Sequence, residues 1–142
     1  MGKMIFVNLP VTDVAASARF YEAIGMTRDD RFSNEQAASM VWADSIGFML
    51  LARDFYATFT PKQIIDPHQQ TGALIALSFD SRTEVDAITE AAIASGGREA
   101  HEPEDHGFMY SRAFEDPDGY GFGPFHMDMD AFMAAKAGPD AG

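Results

Sequence analysis

The predicted order of secondary structure occurs twice along this chain: one strand, one helix and then three more strands. In the first half, apolar residues predict a strand over residues 4–10. A helix over 14–24 follows the N-cap residues Thr12 and Asp13. The three further strands are predicted over 27–32, 37–44 and 47–52. Because the small sheet of one such unit cannot bury its apolar face alone, the repeat predicts two units packed together.

The second half repeats this order with a clearer helix start. Ser81 and Glu84 form a capping box, and the helix continues to about residue 95, before two glycines. The surrounding strands are predicted over 72–79, 98–101, 108–114 and 120–126. Phe6 and Leu74 lie 68 positions apart, as do Asp13 and Ser81. The sequence therefore predicts one α+β domain over 1–128, with module one at 1–60, module two at 71–128 and a flexible tail at 129–142.

The last two predicted strands flank an Asp-Pro-Asp-Gly turn at residues 116–119. Pro117 presets φ at the second turn position, and Gly119 tolerates a positive φ. Apolar runs on both sides of the turn predict a β-hairpin.

This hairpin resembles the closing hairpin of the glyoxalase / bleomycin-resistance / extradiol-dioxygenase group, the vicinal oxygen chelate superfamily. Two further markers occur in the expected order, Val11-Thr12-Asp13 and Phe20-Tyr21-Glu22, and the resemblance covers residues 4–128. It implies a glyoxalase-like fold, in which two βαβββ modules form a curved mixed sheet with a concave pocket. It also implies a homodimer, because short two-module chains of this kind pair.

The resemblance places four metal-ligand positions on Phe6, Leu51, Leu74 and Gly123. None of these side chains offers the imidazole nitrogen or carboxylate oxygen that a divalent cation needs. The chain is therefore identified as a member that lacks the usual metal ligands, and no metal or other cofactor is predicted. If Gly123 opens a closed apolar cavity, Gly123→Glu should be destabilising, since it would bury an unpaired charge.

Alternation along the strands predicts which side chains face the concave pocket. The candidate ligand-binding residues are Phe6, Asn8, Trp42, Leu51, Leu74, Tyr110, Arg112, Gly123 and Phe125. Asn8 and Arg112 are polar within apolar strands, so each needs a partner, either a ligand or a group such as Glu115 or the backbone. His126 is a candidate donor at the pocket rim, although alternation points it away from Gly123. No catalytic residue is predicted.

The connection over residues 53–71 is long and carries Phe55, Tyr56 and Phe59. Connections of this length are usually functional. The three aromatic side chains are therefore expected either to cover the pocket or to cap the edge of the core.

Composition limits the partners and the compartment. Acidic residues outnumber basic ones by 22 to 10, for a net charge of −12. This charge disfavours nucleic acid and membrane surfaces, and suits a cationic ligand. The chain has no cysteine and no apolar run long enough to span a bilayer, so we expect a cytoplasmic protein without disulfides.

Three functions are compatible with these residues. The first is a binding protein that holds a small, partly apolar molecule in a metal-free pocket. The second is a metal-dependent lyase, isomerase or dioxygenase of the same superfamily, which the four mapped positions oppose. The third is an obligate dimer that serves mainly in interaction. Fold class does not decide among them, because function depends on the site.

Overall fold

The computed structural model describes residues 2–136 of the 142-residue chain and confirms the repeated order of elements. Module one consists of β1 (Ile5–Val11), α1 (Val14–Ala23), β2 (Thr27–Arg28), β3 (Ala37–Ala43) and β4 (Ile46–Ala52). A short helix α2 (Arg53–Tyr56) follows β4. Module two consists of β5 (Leu74–Ser78), α3 (Arg82–Ala94), β6 (Arg98–Asp105), β7 (Met109–Glu115) and β8 (Gly121–Met127), and helix α4 spans Met129–Lys136.

Each module forms a mixed four-stranded sheet with the same strand order. Sheet A has the order β1-β4-β3-β2, and sheet B has the order β5-β8-β7-β6. In both sheets the first strand pairs in parallel with the last, and the other pairs are antiparallel. The fold is thus α+β with two βαβββ modules, as predicted.

Local side-chain chemistry starts both long helices where the sequence predicts. The Asp13 carboxylate accepts a hydrogen bond from the Ala16 backbone N–H at 3.0 Å. The Ser81 hydroxyl accepts one from the Glu84 N–H and donates to the Glu84 carboxylate, both at 3.1 Å. These bonds satisfy N–H groups that the first helical turn leaves without partners.

Several predicted segments differ in the structure. The strand predicted over 98–101 continues to Asp105 as β6. The predicted strand over 27–32 ends at Arg28, and Asp30–Phe32 forms a 3-10 helix. Asp29 causes this change, because its carboxylate binds both the backbone N–H and the guanidinium of Arg31 and so bends the chain locally. In the long connection, α2 and a 3-10 helix over Ala57–Phe59 replace irregular loop.

The core lies between the helices and the two sheets, and a cluster of aromatic rings lies within it. Phe20 and Tyr21 of α1 are buried, as are Phe48 of β4, Phe114 of β7 and Phe122 of β8. The rings of Phe114 and Phe122 stack at 5.2 Å, and Tyr21 contacts both Phe48 and Phe122. Because Phe48 belongs to sheet A and Phe122 to sheet B, these contacts pack α1 against both sheets. Burying each such side chain stabilises the fold by roughly 1.5–3 kcal/mol.

The Asp-Pro-Asp-Gly turn fastens module two to module one. The Asp116 carboxylate accepts a hydrogen bond from the Tyr21 hydroxyl at 2.6 Å, and Asp118 accepts one from the Thr12 N–H at 2.9 Å. The Tyr120 hydroxyl donates to the Pro10 carbonyl at 2.6 Å. The three sequence markers of the family resemblance therefore meet at one place, the junction of the modules.

Part of the tail over residues 129–142 is helical in the structure. Residues 129–136 form α4, and the Phe132 ring packs on Phe108 at 5.2 Å. Residues 137–142 lie outside the described residues. In the part of the chain that the structure describes, none of the helices has the length and apolar character needed to cross a membrane.

Candidate ligand-binding site

The concave face is the face of each sheet that points away from its helix. On sheet A, strand pairing aligns its side chains in rungs across β3, β4 and β1. The rungs are Val41–Gly47–Phe6, Ser39–Met49–Asn8 and Ala37–Leu51–Pro10. Asn8 is the amide side chain on this otherwise mostly apolar surface.

The first rung of each module has the same packing. A Cβ atom added at Gly47 would lie 3.0 Å from the Phe6 ring, and one added at Gly121 would lie 2.8 Å from the Leu74 side chain. In both modules, then, a large apolar residue of the first strand lies over a glycine of the last strand. A side chain at either glycine would have to displace the exposed Phe6 or Leu74 side chain, so the internal repeat extends to the site itself.

Strand register corrects one position of the family resemblance. Phe6 pairs with Gly47 as Leu74 pairs with Gly121, and Asn8 pairs with Met49 as Ala76 pairs with Gly123. The counterpart of Gly123 in module one is therefore Met49 rather than Leu51. Leu51 lies two residues further along the same face, because the two modules are offset by 74 positions at the last strand and by 68 at the first.

A cavity of about 330 Å³ lies between the concave face of sheet A and the long connection. Its floor includes Ala37, Met49 and Leu51, and its cover is formed by Phe55, Tyr56 and Phe59. The rings of Phe55 and Phe59 meet edge to face at 5.1 Å. All three aromatic residues line this pocket, and none of them is buried. We call residues 53–60 the lid.

A second cavity, of about 710 Å³, adjoins the first and is lined by the edge strands β1 and β5 and by residues 60–72. Asn8, Tyr56 and Thr60 line both cavities. Leu74 and Gly121 line the larger one. The connection is held in place by the Arg53 guanidinium, which donates to the Ile65 carbonyl at 3.2 Å.

Of the candidate ligand-binding residues, Asn8, Leu51 and Leu74 line the cavities. Phe6 lies on the same face but outside both linings, and it is 52% exposed. Gly123 and Phe125 lie on the concave face of sheet B, which the lid does not cover. A Cβ atom at Gly123 would meet nothing nearer than the Arg112 carbonyl at 4.0 Å, so this position is open and the expected closed cavity around it is absent from the described residues.

Arg112 lies on the helix side of sheet B, away from the cavities. Its guanidinium pairs with Glu90 and Glu99, each at 2.8 Å, and with Asp86 at 3.2 Å. Burial lowers the pKa of Arg112, but hydrogen bonds with the three carboxylates outweigh this and raise the pKa above its usual value. Arg112 therefore has internal partners, although not the Glu115 that the sequence suggests.

Tyr110 and Trp42 also differ from the predicted pocket positions. The Tyr110 hydroxyl donates to Asp86 of α3 at 2.6 Å. The Trp42 ring packs edge to face on Phe79 at 5.8 Å, against the core. Residues Phe114 and Met40 on the same strands, two positions away, are core residues, and alternation places Arg112 and Trp42 on their side.

His126 lies on the helix side of β8. Its Nδ1 atom is 2.9 Å from the Phe79 carbonyl oxygen, so this nitrogen carries the proton and donates it. His126 lines a small cavity of about 260 Å³ near the start of α3 and is absent from the linings of both larger cavities. It is therefore not a donor at the rim of the lid cavity.

Tyr120 is the residue of the larger cavity whose ionisation is most affected by the fold. Burial raises its pKa, and the nearby Asp116 and Asp118 raise it further. The hydroxyl therefore stays protonated and serves as a donor to the Pro10 carbonyl. The lid cavity offers apolar contact and neutral hydrogen-bonding groups, whereas the wall of the larger cavity also carries Lys62 and Glu115.

Paired βαβββ modules with a pocket on the concave side define a class of proteins in which one scaffold serves several chemistries. The family model of the Glyoxalase/Bleomycin resistance protein/Dioxygenase superfamily matches residues 3–123. The chain therefore belongs to this superfamily. No curated protein matches it.

Solved structures show the same fold. A hypothetical protein from S. aureus has a TM-score of 0.75 at 21% identity, over 89% of this chain and 94% of that one. A glyoxalase-related enzyme from Fulvimarina pelagi has a TM-score of 0.73 at 19% identity, over 89% of this chain and 88% of that one. A glyoxalase/bleomycin resistance protein/dioxygenase family enzyme from Burkholderia phytofirmans PsJN has a TM-score of 0.72 at 19% identity, over 89% of this chain and 99% of that one. At these identities the likeness shows the fold alone.

The residues of this chain do not fit the divalent metal that the superfamily implies. Strand register places Phe6, Met49, Leu74 and Gly123 at the four corresponding positions. Thioether, alkyl and aromatic groups are poor ligands for a hard or borderline cation. Among residues 2–136, no three His, Cys, Asp or Glu side chains are grouped so that they could hold a metal ion.

Proposed function

We propose that this protein binds a small, partly apolar molecule beneath the lid, without a metal at the four family positions. The observation that supports this most directly is the lid cavity. Its volume of about 330 Å³ lies at the lower end of the roughly 300–1,000 Å³ typical of small-molecule sites. An apolar floor under aromatic rings favours ligand binding through removal of apolar surface from water.

The proposal includes a homodimer in the cytoplasm. The concave face of sheet B carries Leu74, which is 80% exposed, and that of sheet A carries Phe6, which is 52% exposed. Exposed apolar patches of this kind mark interaction surfaces. A second copy of the chain is the partner that the superfamily resemblance supports. The absence of cysteine supports the cytoplasmic compartment.

A neutral apolar dye tests the binding proposal. We expect Nile red to bind the purified protein, with a blue-shifted and stronger emission. Phe59→Ala should weaken binding, because Phe59 covers the cavity. Phe32→Ala is a matched control, since Phe32 and Phe59 are 64% and 66% exposed but Phe32 lies outside the cavity. Equal binding by the two variants, or no binding by the parent, would refute the proposal.

Metal addition tests the second half of the proposal. Zn²⁺, Ni²⁺, Mn²⁺ and Fe²⁺ should leave the melting temperature unchanged, because a ligand stabilises only the state that binds it. The protein should be prepared without a His tag. A stoichiometric metal that survives dialysis and is lost on substitution of Met49 or the residues beside it would overturn the metal-free proposal.

A further inference from the structure

Among the residues that the structure describes, those on the wall of the lid cavity are all uncharged. Its floor and cover are alkyl, thioether and aromatic groups, and its polar wall residues are Asn8, Tyr56 and Thr60. The charged wall residues belong to the larger cavity and include Lys62 and Glu115, and Glu115 is paired with Arg98 at 2.9 Å. A ligand group that enters the lid cavity therefore meets no counter-ion there.

The polar groups are concentrated where the two cavities join. Asn8, Tyr56 and Thr60 are the residues shared by both linings. The Thr60 hydroxyl accepts a hydrogen bond from the Lys62 N–H at 3.2 Å. Within residues 2–136, the Asn8 side chain forms no hydrogen bond with another residue, so both its donor and its acceptor are available.

We infer that the ligand is a neutral molecule whose compact apolar body fills the lid cavity and whose carbonyl or amide group hydrogen-bonds to Asn8. This inference rests on the proposed function and names its ligand class. A charged group would lose its hydration in the lid cavity without gaining an ion pair, which is costly. The net charge of −12 attracts cations to the surface, but it supplies no carboxylate inside the cavity.

Asn8 is thus the residue that sets ligand specificity. Asn8 is exposed in the free chain, so a bound ligand would bury its amide, and a ligand that offered the amide no hydrogen bond would bind less tightly. The repeat supports this assignment, because the counterpart of Asn8 on β5 is Ala76, which has no polar group. The amide is a feature of the covered sheet alone.

Three naphthalenes of similar size test the ligand class: 2-naphthamide, 2-naphthoate and 2-naphthylmethylammonium. They are titrated into the full chain and followed by calorimetry. We expect the neutral amide to bind about tenfold more tightly than either ion, as the loss of one good interaction predicts. Asn8→Leu should weaken binding of the amide about tenfold and leave the two ions unchanged. Asn8→Asp should reverse the preference, so that the ammonium binds most tightly.

The outcomes separate this inference from the proposed function. If Nile red binds and responds to Phe59→Ala, but an ion binds as tightly as the amide or Asn8→Leu changes nothing, the ligand class is wrong while the proposed function stands. If neither Nile red nor any of the three naphthalenes binds, both fail. Because Asn8 is exposed in this chain, its variants should fold, and circular dichroism at 222 nm checks this.

Discussion

Asp116 is a buried carboxylate whose two oxygens are both used. It accepts hydrogen bonds from the Tyr21 hydroxyl, the Asp118 N–H and the Tyr120 N–H, at 2.6 to 3.0 Å. Burial nevertheless raises the pKa of Asp116 to about 6, because removal from water disfavours the charged form. The three hydrogen bonds stabilise the negative charge of Asp116, but they do not fully offset the solvation that the buried carboxylate loses.

This raised pKa gives the first prediction. A carboxyl group whose pKa is higher in the folded state than in the unfolded state costs stability once it ionises, so stability rises as pH falls through about 6 towards 4. Asp116→Asn removes this dependence. Between pH 7 and pH 5, the unfolding free energy of the parent should rise relative to the variant by about 1 kcal/mol.

Urea unfolding at the two pH values measures this difference. Asp44→Asn, at an exposed carboxylate between β3 and β4, is the control for loss of one negative charge. A difference between parent and Asp116→Asn that does not change with pH would show that Asp116 does not titrate in this range.

Gly119 gives the second prediction. Its φ is +103°, and a Cβ atom there would lie 2.8 Å from the backbone of Pro67 and His68. Gly119→Ala should therefore cost more than the about 1–3 kcal/mol of backbone strain alone. Gly107→Ala is a matched control, since its φ is +81° with nothing within 4 Å. Equal losses in thermal unfolding for the two variants would contradict a close contact between the turn and the connection.

Individual residues also show where sequence reasoning succeeds and fails. Asn8 is recognisable because an amide interrupts an apolar strand. Arg112 shows the same pattern, yet its partners Asp86 and Glu90 lie on α3, more than twenty positions away. Local sequence identifies a buried polar group that needs a partner, but it does not identify the partner, because packing between elements decides that.

At the scale of elements, caps and alternation predict the long helices and most strands. The helical form of the lid is not predicted, because a four-residue helix has too few positions to show a period. The register of β4 is also missed, since the modules differ in length between their first and last strands. The pairing of β1 with β4 fixes this register and shows that the counterpart of Gly123 is Met49, not Leu51.

Helix α4 gives the third prediction. Its described anchor is Phe132, whose ring packs on Phe108. Phe132→Ala should release the helix and increase amide hydrogen exchange over residues 129–136, while the β-sheets exchange as before. Met133→Ala is the control, because Met133 is 56% exposed. Unchanged exchange in Phe132→Ala would mean that other contacts hold α4.

At the scale of the whole molecule, the two concave faces differ. The lid shares a pocket with Ala37, Met49 and Leu51 of sheet A, whereas Leu74 and Ala76 of sheet B are exposed within one chain. An edge strand with exposed apolar side chains favours association unless something covers it. The asymmetry therefore concerns assembly as well as ligand binding.

The fourth prediction tests this association. Light scattering at micromolar concentration should give about twice the 15.5 kDa chain mass for the parent. Leu74→Asp should give the mass of one chain with little change in monomer stability, since position 74 is open to solvent in one chain. Phe32→Asp, at another exposed apolar residue, should remain dimeric. A parent that is monomeric at all concentrations would refute the homodimer.

The junction of the modules also determines when the chain can complete its fold during synthesis. Thr12 and Asp118 are 106 residues apart. A ribosome adding about 5–20 residues per second makes Asp118 on the order of 5–20 s after Thr12. Throughout this interval α1 can pack on sheet A, where Tyr21 stacks on Phe48, but Phe20 and Tyr21 lack the rings of Phe114 and Phe122. The nascent first module therefore exposes aromatic surface of α1 until module two is made.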